Sequence, residues 1–391
     1  MQEAYIVAGF RTAIGKAKKG GFRFTTPVDL GHEVIKSLLA AVPQLDPTRI
    51  DDLIVGNAVP EAEQGLQMAR WIAVRALPHS VPGVTVNRYC GSGIETIALA
   101  TAKIRSGMAE CIIAGGAESM SLVPTVGYKT VPNFEIAKSH PEYYIGMGLT
   151  AEEVAKKYGV TREDQDQFSL ASHQKAFAAI DAGKFKEEIV PVEVEEVYFE
   201  GGKKKSKKYV VSEDEGPRKD TSLEGLGKLK PAFSPTGSVT AGNSSQTSDG
   251  AAFVIVMSER MVNELGLKPV ARLVTAASVG VDPTIMGIGP VVAIPKALKQ
   301  AGMSLGDIDL FELNEAFAAQ SLAVIREAGL NPDIINVNGG AIALGHPLGC
   351  TGAWLTQKLN NELRRRNKKY GMVTACIGGG QGIAGIIERI N

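Results

Sequence analysis

Cys90, His346, Cys376 and Asn314 each lie among small or turn-forming residues, where a side chain can meet a substrate. Cys90 follows the strand-like run Val84-Thr85-Val86-Asn87 and precedes Gly91-Ser92-Gly93 and a helical pattern. A thiol near a helix N-terminus faces unpaired N–H groups and a dipole that favours negative charge, and the thiolate is the attacking form. The plainer reading is a small buried hydrophobe, since cysteine is often fully buried. His346 stands in Gly339-Gly340-Ala341-Ile342-Ala343-Leu344-Gly345-His346-Pro347-Leu348-Gly349. The following proline excludes an ordinary helix interior, and the small neighbours allow close approach. His32, His79, His140 and His173 have no such surroundings and read as satisfied core histidines. Cys376 ends an apolar strand and opens Ile377-Gly378-Gly379-Gly380-Gln381-Gly382. A dinucleotide turn must open a helix, whereas residues 383–390 read as a strand. Backbone N–H groups beside a thiol suit an oxyanion hole, with phosphate binding as the lesser alternative. Asn314, in Leu313-Asn314-Glu315-Ala316-Phe317, either caps the next helix or fixes a water or the histidine.

The elements that must hold these residues repeat. Residues 4–15 resemble 271–283, and 52–57 resemble 309–314. The third pair is longest. Residues 84–87 lead through a glycine-rich turn and a helix to about Arg105, then to the strand Cys111-Ile112-Ile113-Ala114. Residues 335–338 lead likewise through a helix to about Arg366, then to Met372-Val373-Thr374-Ala375. Strand, turn, helix, strand is the parallel crossover unit. The three pairs occur in one order, which implies two similar α/β halves.

We divide the chain into a first half at 1–119, completed by 250–268, an insertion at 120–249, and a second half at 269–391. Within the insertion, 150–158 and 161–182 read as helices, and Val190, Val192 and Val194 alternate as in a strand. The lysine run at 203–208 reads as a solvated hairpin tip beside the Gly201-Gly202 turn. Glutamates on both sides balance its charge.

The totals narrow the class. The 391 residues suggest roughly two domains. Lys plus Arg and Asp plus Glu are both 42, so no net charge draws the chain to nucleic acid or an anionic membrane. Four cysteines are too few for a disulfide scaffold, and none form a Cys-x-x-Cys pair that would suggest zinc. The opening residues make a poor signal peptide, the closing ones are no peroxisomal address, and no apolar run spans a bilayer. A cytoplasmic protein is expected.

Taken together, Asn87-Arg88-Tyr89-Cys90-Gly91-Ser92-Gly93, Asn314-Glu315-Ala316-Phe317, Gly345-His346-Pro347 and Cys376-Ile377-Gly378-Gly379-Gly380 closely resemble the thiolase family, in order and over essentially the whole chain. The resemblance implies a thiolase fold: two α/β halves in a five-layered core with an inserted loop domain, assembled as a homodimer or homotetramer. It implies Cys90 as the acyl-accepting nucleophile and His346 as the group that takes its proton and later helps activate the incoming thiol. Cys376 would move the proton on carbon 2 of the acetyl unit. Asn314, through a water, would form one oxyanion hole with His346, and the N–H groups of Cys90 and Gly378 the other. Coenzyme A thioesters are the substrates, with no metal or redox cofactor. Arg218, in Asp214-Glu215-Gly216-Pro217-Arg218, would meet the nucleotide part of coenzyme A. Ser245, in Thr240-Ala241-Gly242-Asn243-Ser244-Ser245, would meet pantetheine. An exposed ion-pair partner and a turn cap are the plainer readings of these two.

Gly146, not histidine, precedes Met147-Gly148, and the stretch from Asn243 to Gly250 is similar to the degradative, broad-chain type. Both point to 3-ketoacyl-CoA thiolase, with acetyl-CoA acetyltransferase as the alternative. Glu153, where many members have Asn, weakens the acyl-pocket argument. A ketoacyl synthase would pair one Cys with two His, and a binding-only protein would not need the full Cys90, His346 and Cys376 set.

Overall fold

A computed structural model describes residues 2–391. The main sheet runs, edge to edge, Gly83–Val86, Asp52–Gly56, Cys111–Ser119, Ser248–Ser258, Ala4–Thr12, Ala271–Gly280, Gln381–Arg389, Tyr370–Ile377 and Leu310–Leu313. The halves meet at the antiparallel pair Ile6 and Ala271. From that seam outward each half repeats the same order. Two antiparallel neighbours come first, and a parallel pair follows: Asp52–Gly56 with Cys111–Ser119, and Leu310–Leu313 with Tyr370–Ile377. Cys111–Ser119 and Ser248–Ser258 are buried at every position. That is why they read as continuous apolar and small runs instead of alternating.

Five layers result. Helices Ser92–Arg105 and Thr351–Arg365 fill the middle, where Ile94, Ile97, Trp354 and Leu355 pack with Val254, Val256, Val373 and Ile387. On one outside, Pro27–Ala41 buries Leu30, Val34 and Leu38 at helical spacing. Each such burial contributes ~1.5–3 kcal/mol. On the other outside lie Gly289–Ala301 and Ala318–Glu327, through Ala293, Ile294 and Val324. The two middle helices touch through glycine: a Cβ on Gly93 would sit 2.5 Å from the Ala353 nitrogen.

The insertion holds helices Met147–Lys157 and Arg162–Asp181. Its far end is tied to the first strand by buried Arg11, whose guanidinium donates to Glu188 at 2.8 Å and to Asp214 at 2.7 and 2.9 Å.

Two expectations need correction. Residues 335–338 do not form a strand; a single parallel bridge joins Phe311 to Ile335. Asn336 takes a φ of +45°, and its side chain replaces the ladder, accepting from Leu313 N at 2.9 Å and donating to Leu313 O at 2.8 Å. Short amide side chains tolerate that backbone and pair locally. The lysine run is not the hairpin tip either. Gly201 and Gly202 make the turn, with φ of +59° and +72°. The lysines run down the strand Lys203–Val211, opposite Glu200, Glu196 and Glu195. Glycine takes positive φ freely, and opposite charges across a strand pair attract.

Candidate active site

Cys90 sits in the short helical turn Tyr89–Gly91 that leads into Ser92–Arg105. That turn packs against the end of Tyr370–Ile377 and against Leu348–Cys350, just beyond His346. The N–H groups of Gly378 and of Cys90 itself point at the Cys90 sulfur. Gly378 opens the hairpin after Cys376, whose Gly379 and Gly380 have φ of +80° and +81°. The glycines there serve the turn and leave the first N–H free to face the thiol. Cys376 is fully buried, and burial followed by the neighbouring charge of Cys90 pushes its thiol far up.

The helix N-terminus does not make Cys90 a resting thiolate. Burial pushes the thiol up to about 11, against the two N–H groups that favour the anion. Desolvation penalises the charged form more than these donors recover. The imidazole is shifted the other way, with burial lowering His346 to about 4. Thiol and imidazole therefore both rest neutral near pH 7.

His346 is held on three sides. Its backbone N–H donates to Ser248 Oγ at 3.1 Å and Gln246 O at 3.2 Å. Its Nδ1 lies 2.7 Å from Thr351 Oγ1, which donates its own proton to Pro347 O at 2.9 Å. A hydroxyl has one proton to give, so Oγ1 accepts from Nδ1–H and the lone pair stays on Nε2. Asn314 Nδ2 donates to that nitrogen at 3.2 Å. Asn314 does not cap a helix: the strand ends at Leu313, and the next helix is capped at Phe317. Its Oδ1 is buried without a protein partner, the kind of acceptor a water satisfies. Asn314 and His346 thus form one cluster, and Cys90, Cys376 and Gly378 another, joined by the packed turns.

The insertion closes over this centre. A Cβ on Gly378 would lie 3.3 Å from Met147 Sδ. Met147 packs with Ala151, Val239, Met286, Ala316, Phe317 and Cys376, an apolar wall beside the second thiol. Glu153 faces solvent and takes no part in that wall. Ser245 is half-buried, and its N–H donates to Ala316 O at 2.9 Å, which places it on the strap beside Phe317. Arg218 is exposed at the outer end of the Asp214–Arg218 run. Gln246 Nε2 links Gly216 O at 2.8 Å to Ala343 O at 3.2 Å, so this run abuts the helix before His346.

Sequence reasoning missed several supports. His173 is a satisfied core histidine, as expected, and it also steadies the 214–218 run: its Nδ1 accepts from Arg218 N at 3.2 Å, and burial lowers it to about 4, keeping it an acceptor. His79 and His140 are exposed instead of buried. Glu315 accepts from Ser172 Oγ, Asn336 Nδ2 and Ile342 N, joining the Asn314 turn to the histidine loop. Thr351 had a signal, an ordinary threonine five positions after the histidine, but only the turn at Leu348–Cys350 brings it back to the ring.

A buried thiol met by backbone N–H groups and an oriented imidazole on the packed neighbouring loop, on two repeated α/β halves, fit an acyltransferase. The model for the thiolase N-terminal domain matches residues 4–260, and that for the thiolase C-terminal domain matches 267–389. This chain belongs to the thiolase family and has the thiolase fold. It is 56% identical to the 3-ketoacyl-CoA thiolase of Bacillus subtilis, over 99% of this chain and 100% of that one. It is 46% identical to an acetyl-CoA acetyltransferase of Pseudomonas aeruginosa, over 100% of both chains. The crystal structure of the Bacillus anthracis acetyl-CoA acetyltransferase matches 100% of this chain and 99% of its own with a TM-score of 0.89 at 40% identity.

Proposed function

We propose that the chain cleaves 3-ketoacyl-CoA with coenzyme A, giving a shortened acyl-CoA and acetyl-CoA, as a step of fatty-acid degradation. The observation that supports this is the nearness of Cys376 and the Gly378 N–H to Cys90. Cys90 Sγ attacks the 3-keto carbon while its proton passes to His346 Nε2. The oxyanion is met by donors already in place, and removing one such donor typically costs about 10²–10³ in rate. The bond between carbons 2 and 3 breaks. Carbon 2 takes the proton of Cys376, releasing acetyl-CoA and leaving an acyl-Cys90 thioester. The proton on His346 returns to the Cys376 thiolate; the neutral imidazole then takes the proton of coenzyme A, whose sulfur carries the acyl group away, and passes it to the released Cys90 thiolate. The N–H groups of Cys90 and Gly378 serve one oxyanion; His346 and Asn314, with a water on Oδ1, serve the other. The ketone and thioester supply the electrophiles, so no metal or redox cofactor is required.

Arg218 and Ser245 are assigned to the nucleotide and pantetheine parts of coenzyme A. Their support is the path from the exposed 214–218 run along Gln246 to the strap beside Phe317. The apolar wall from Met147 to Phe317 supports a substrate longer than acetoacetyl-CoA.

The acetyl-CoA acetyltransferase reading, condensation of two acetyl-CoA, is favoured by the Pseudomonas aeruginosa and Bacillus anthracis matches. Turnover of acetoacetyl-CoA and 3-ketooctanoyl-CoA separates the two. Comparable or faster cleavage of the longer substrate is expected; negligible cleavage of it would leave only the acetyl reading. Cys90→Ser should lose acyl transfer and keep coenzyme A binding.

A homodimer or homotetramer in the cytoplasm, without nucleic-acid or membrane partners, completes the proposal. Gly83–Val86 is an open sheet edge, flanked by exposed Leu66, Trp71 and Val84. Among the described residues no helix is long and apolar enough to cross a membrane.

A further inference from the structure

Glu118 is 1% exposed at the end of Cys111–Ser119, one of the strands that carry the first half. Its Oε2 accepts from Ala58 N and Gly349 N, both at 2.8 Å. Its Oε1 accepts from Asn57 Nδ2 at 3.0 Å and Gln64 Nε2 at 2.9 Å. Those donors come from both halves: residues 57, 58 and 64 belong to the first, and Gly349 follows His346 by three positions in the second. No cation faces the carboxylate among the described residues. Its neighbours that titrate are Cys90 and Cys350, both thiols pushed up by burial. Arg11 acts on Cys350 but is engaged by Glu188 and Asp214. Asp249, beside the next strand residue, accepts from Ser119 and Ser121. A buried carboxylate that meets only neutral donors is costly to keep ionised, and such groups cluster at functional sites.

We propose that Glu118 is a positioning residue for His346, clamping the 345–351 turn of the second half onto the strand ends of the first, and that only its ionised form does so. An ionised carboxylate is acceptor-only and suits four donors. The protonated acid carries an O–H that must face Gly349 N–H, Ala58 N–H or a side-chain amide, so one contact is lost. Freed at Gly349, the turn no longer fixes the histidine ring between Thr351 and Asn314. The inference rests on the reading of His346 as the base for Cys90. Burial places the Glu118 titration at about 7, well above the His346 value of about 4. The acid limb of catalysis is thereby assigned to the clamp and not to the imidazole.

Single-turnover acylation of Cys90 by acetyl-CoA, followed against pH from 5.5 to 8.5 with circular dichroism as a fold control, tests this. The wild type should lose rate about tenfold per pH unit below about 7 while staying folded. Glu118→Gln keeps the shape but turns an amide N–H₂ toward donors; its plateau should fall roughly 10²-fold and its acid limb should vanish. Glu118→Asp keeps the charge one methylene short, so a lowered plateau with the acid limb retained is expected. Wild-type rates in either folded variant, or a wild-type profile flat across this range, would overturn the clamp. If the glutamine variant does not fold, the aspartate variant and the wild-type profile decide. A wild type that never acylates Cys90 would instead remove the underlying assignment of nucleophile and base.

Discussion

Gly349 and Gly56 meet backbone to backbone: a Cβ on Gly349 would lie 2.6 Å from Gly56 O. Gly116 joins the contact, since its Cβ would fall 2.1 Å from Gly349 O. The histidine turn of one half thus docks onto two strand ends of the other through bare backbone, beside the Glu118 carboxylate. Gly349→Ala should push this turn off its seat and misplace His346. We expect acylation to fall at least about 10²-fold with little change in coenzyme A affinity, because a displacement of about 1 Å at a reacting group costs that much. Stopped-flow acylation and coenzyme A titration check the split.

Thr351→Val removes the acceptor of His346 Nδ1–H and leaves that proton buried without a partner. The ring then gains nothing from the Nδ1–H tautomer. A stability loss of ~1–3 kcal/mol is expected from the orphaned donor, together with a fall of about tenfold or more in acylation, since general-base catalysis is worth about 10²–10⁴. Thr351→Ser should restore most of both. Urea melts and acylation rates measure the two effects.

Because Cys90 titrates near 11 and His346 near 4, the free enzyme should not hold a thiolate–imidazolium pair. Alkylation of Cys90 by iodoacetamide without substrate should be slow at pH 7 and rise about tenfold per unit as pH climbs toward 11. A fast, pH-independent reaction between 6 and 8 would mean an ion pair is already formed.

Ala151 lies fully in the apolar wall beside Cys376 and Phe317. Ala151→Phe should fill that wall. We expect kcat/KM for 3-ketooctanoyl-CoA to drop roughly 10–200-fold, the worth of a few methylenes in a pocket, with acetoacetyl-CoA nearly spared. Equal losses on both substrates would place the acyl chain elsewhere.

Glu362 is held down to about 2 by Asn338, Arg366 and Arg365, against its own burial. A carboxylate lowered in the folded state stabilises the fold above its unfolded value near 4.5, and that stability is lost as pH falls from there toward 2. Glu362→Gln should therefore destabilise at pH 7 and converge with the wild type in acid. Thermal melts from pH 7 to 2.5 give the difference.

The candidate site residues were legible because each stood where an ordinary core residue would not. His346 sat between glycine and proline, and Cys376 opened a glycine turn. The two halves were legible from segments that repeat in the same order along the chain. What could not be read was contact across the seam. Glu118 looks like the end of a strand, and Thr351 like a helix start, until Gly349 brings the second half against the first. The strand at 335–338 failed because one side chain, Asn336, does the pairing of a backbone. The upward shift of the Cys90 thiol could not be read, because a helix N-terminus is local whereas burial of Cys90 is set by the whole fold.

Mass spectrometry of the protein after mixing with acetyl-CoA asks whether Cys90 is the acyl carrier. An increment of about 42 Da, an acetyl group in place of a thiol hydrogen, is expected on the peptide holding Cys90 and should disappear on adding coenzyme A. No increment, or one that maps to Cys376 or elsewhere, would contradict the account.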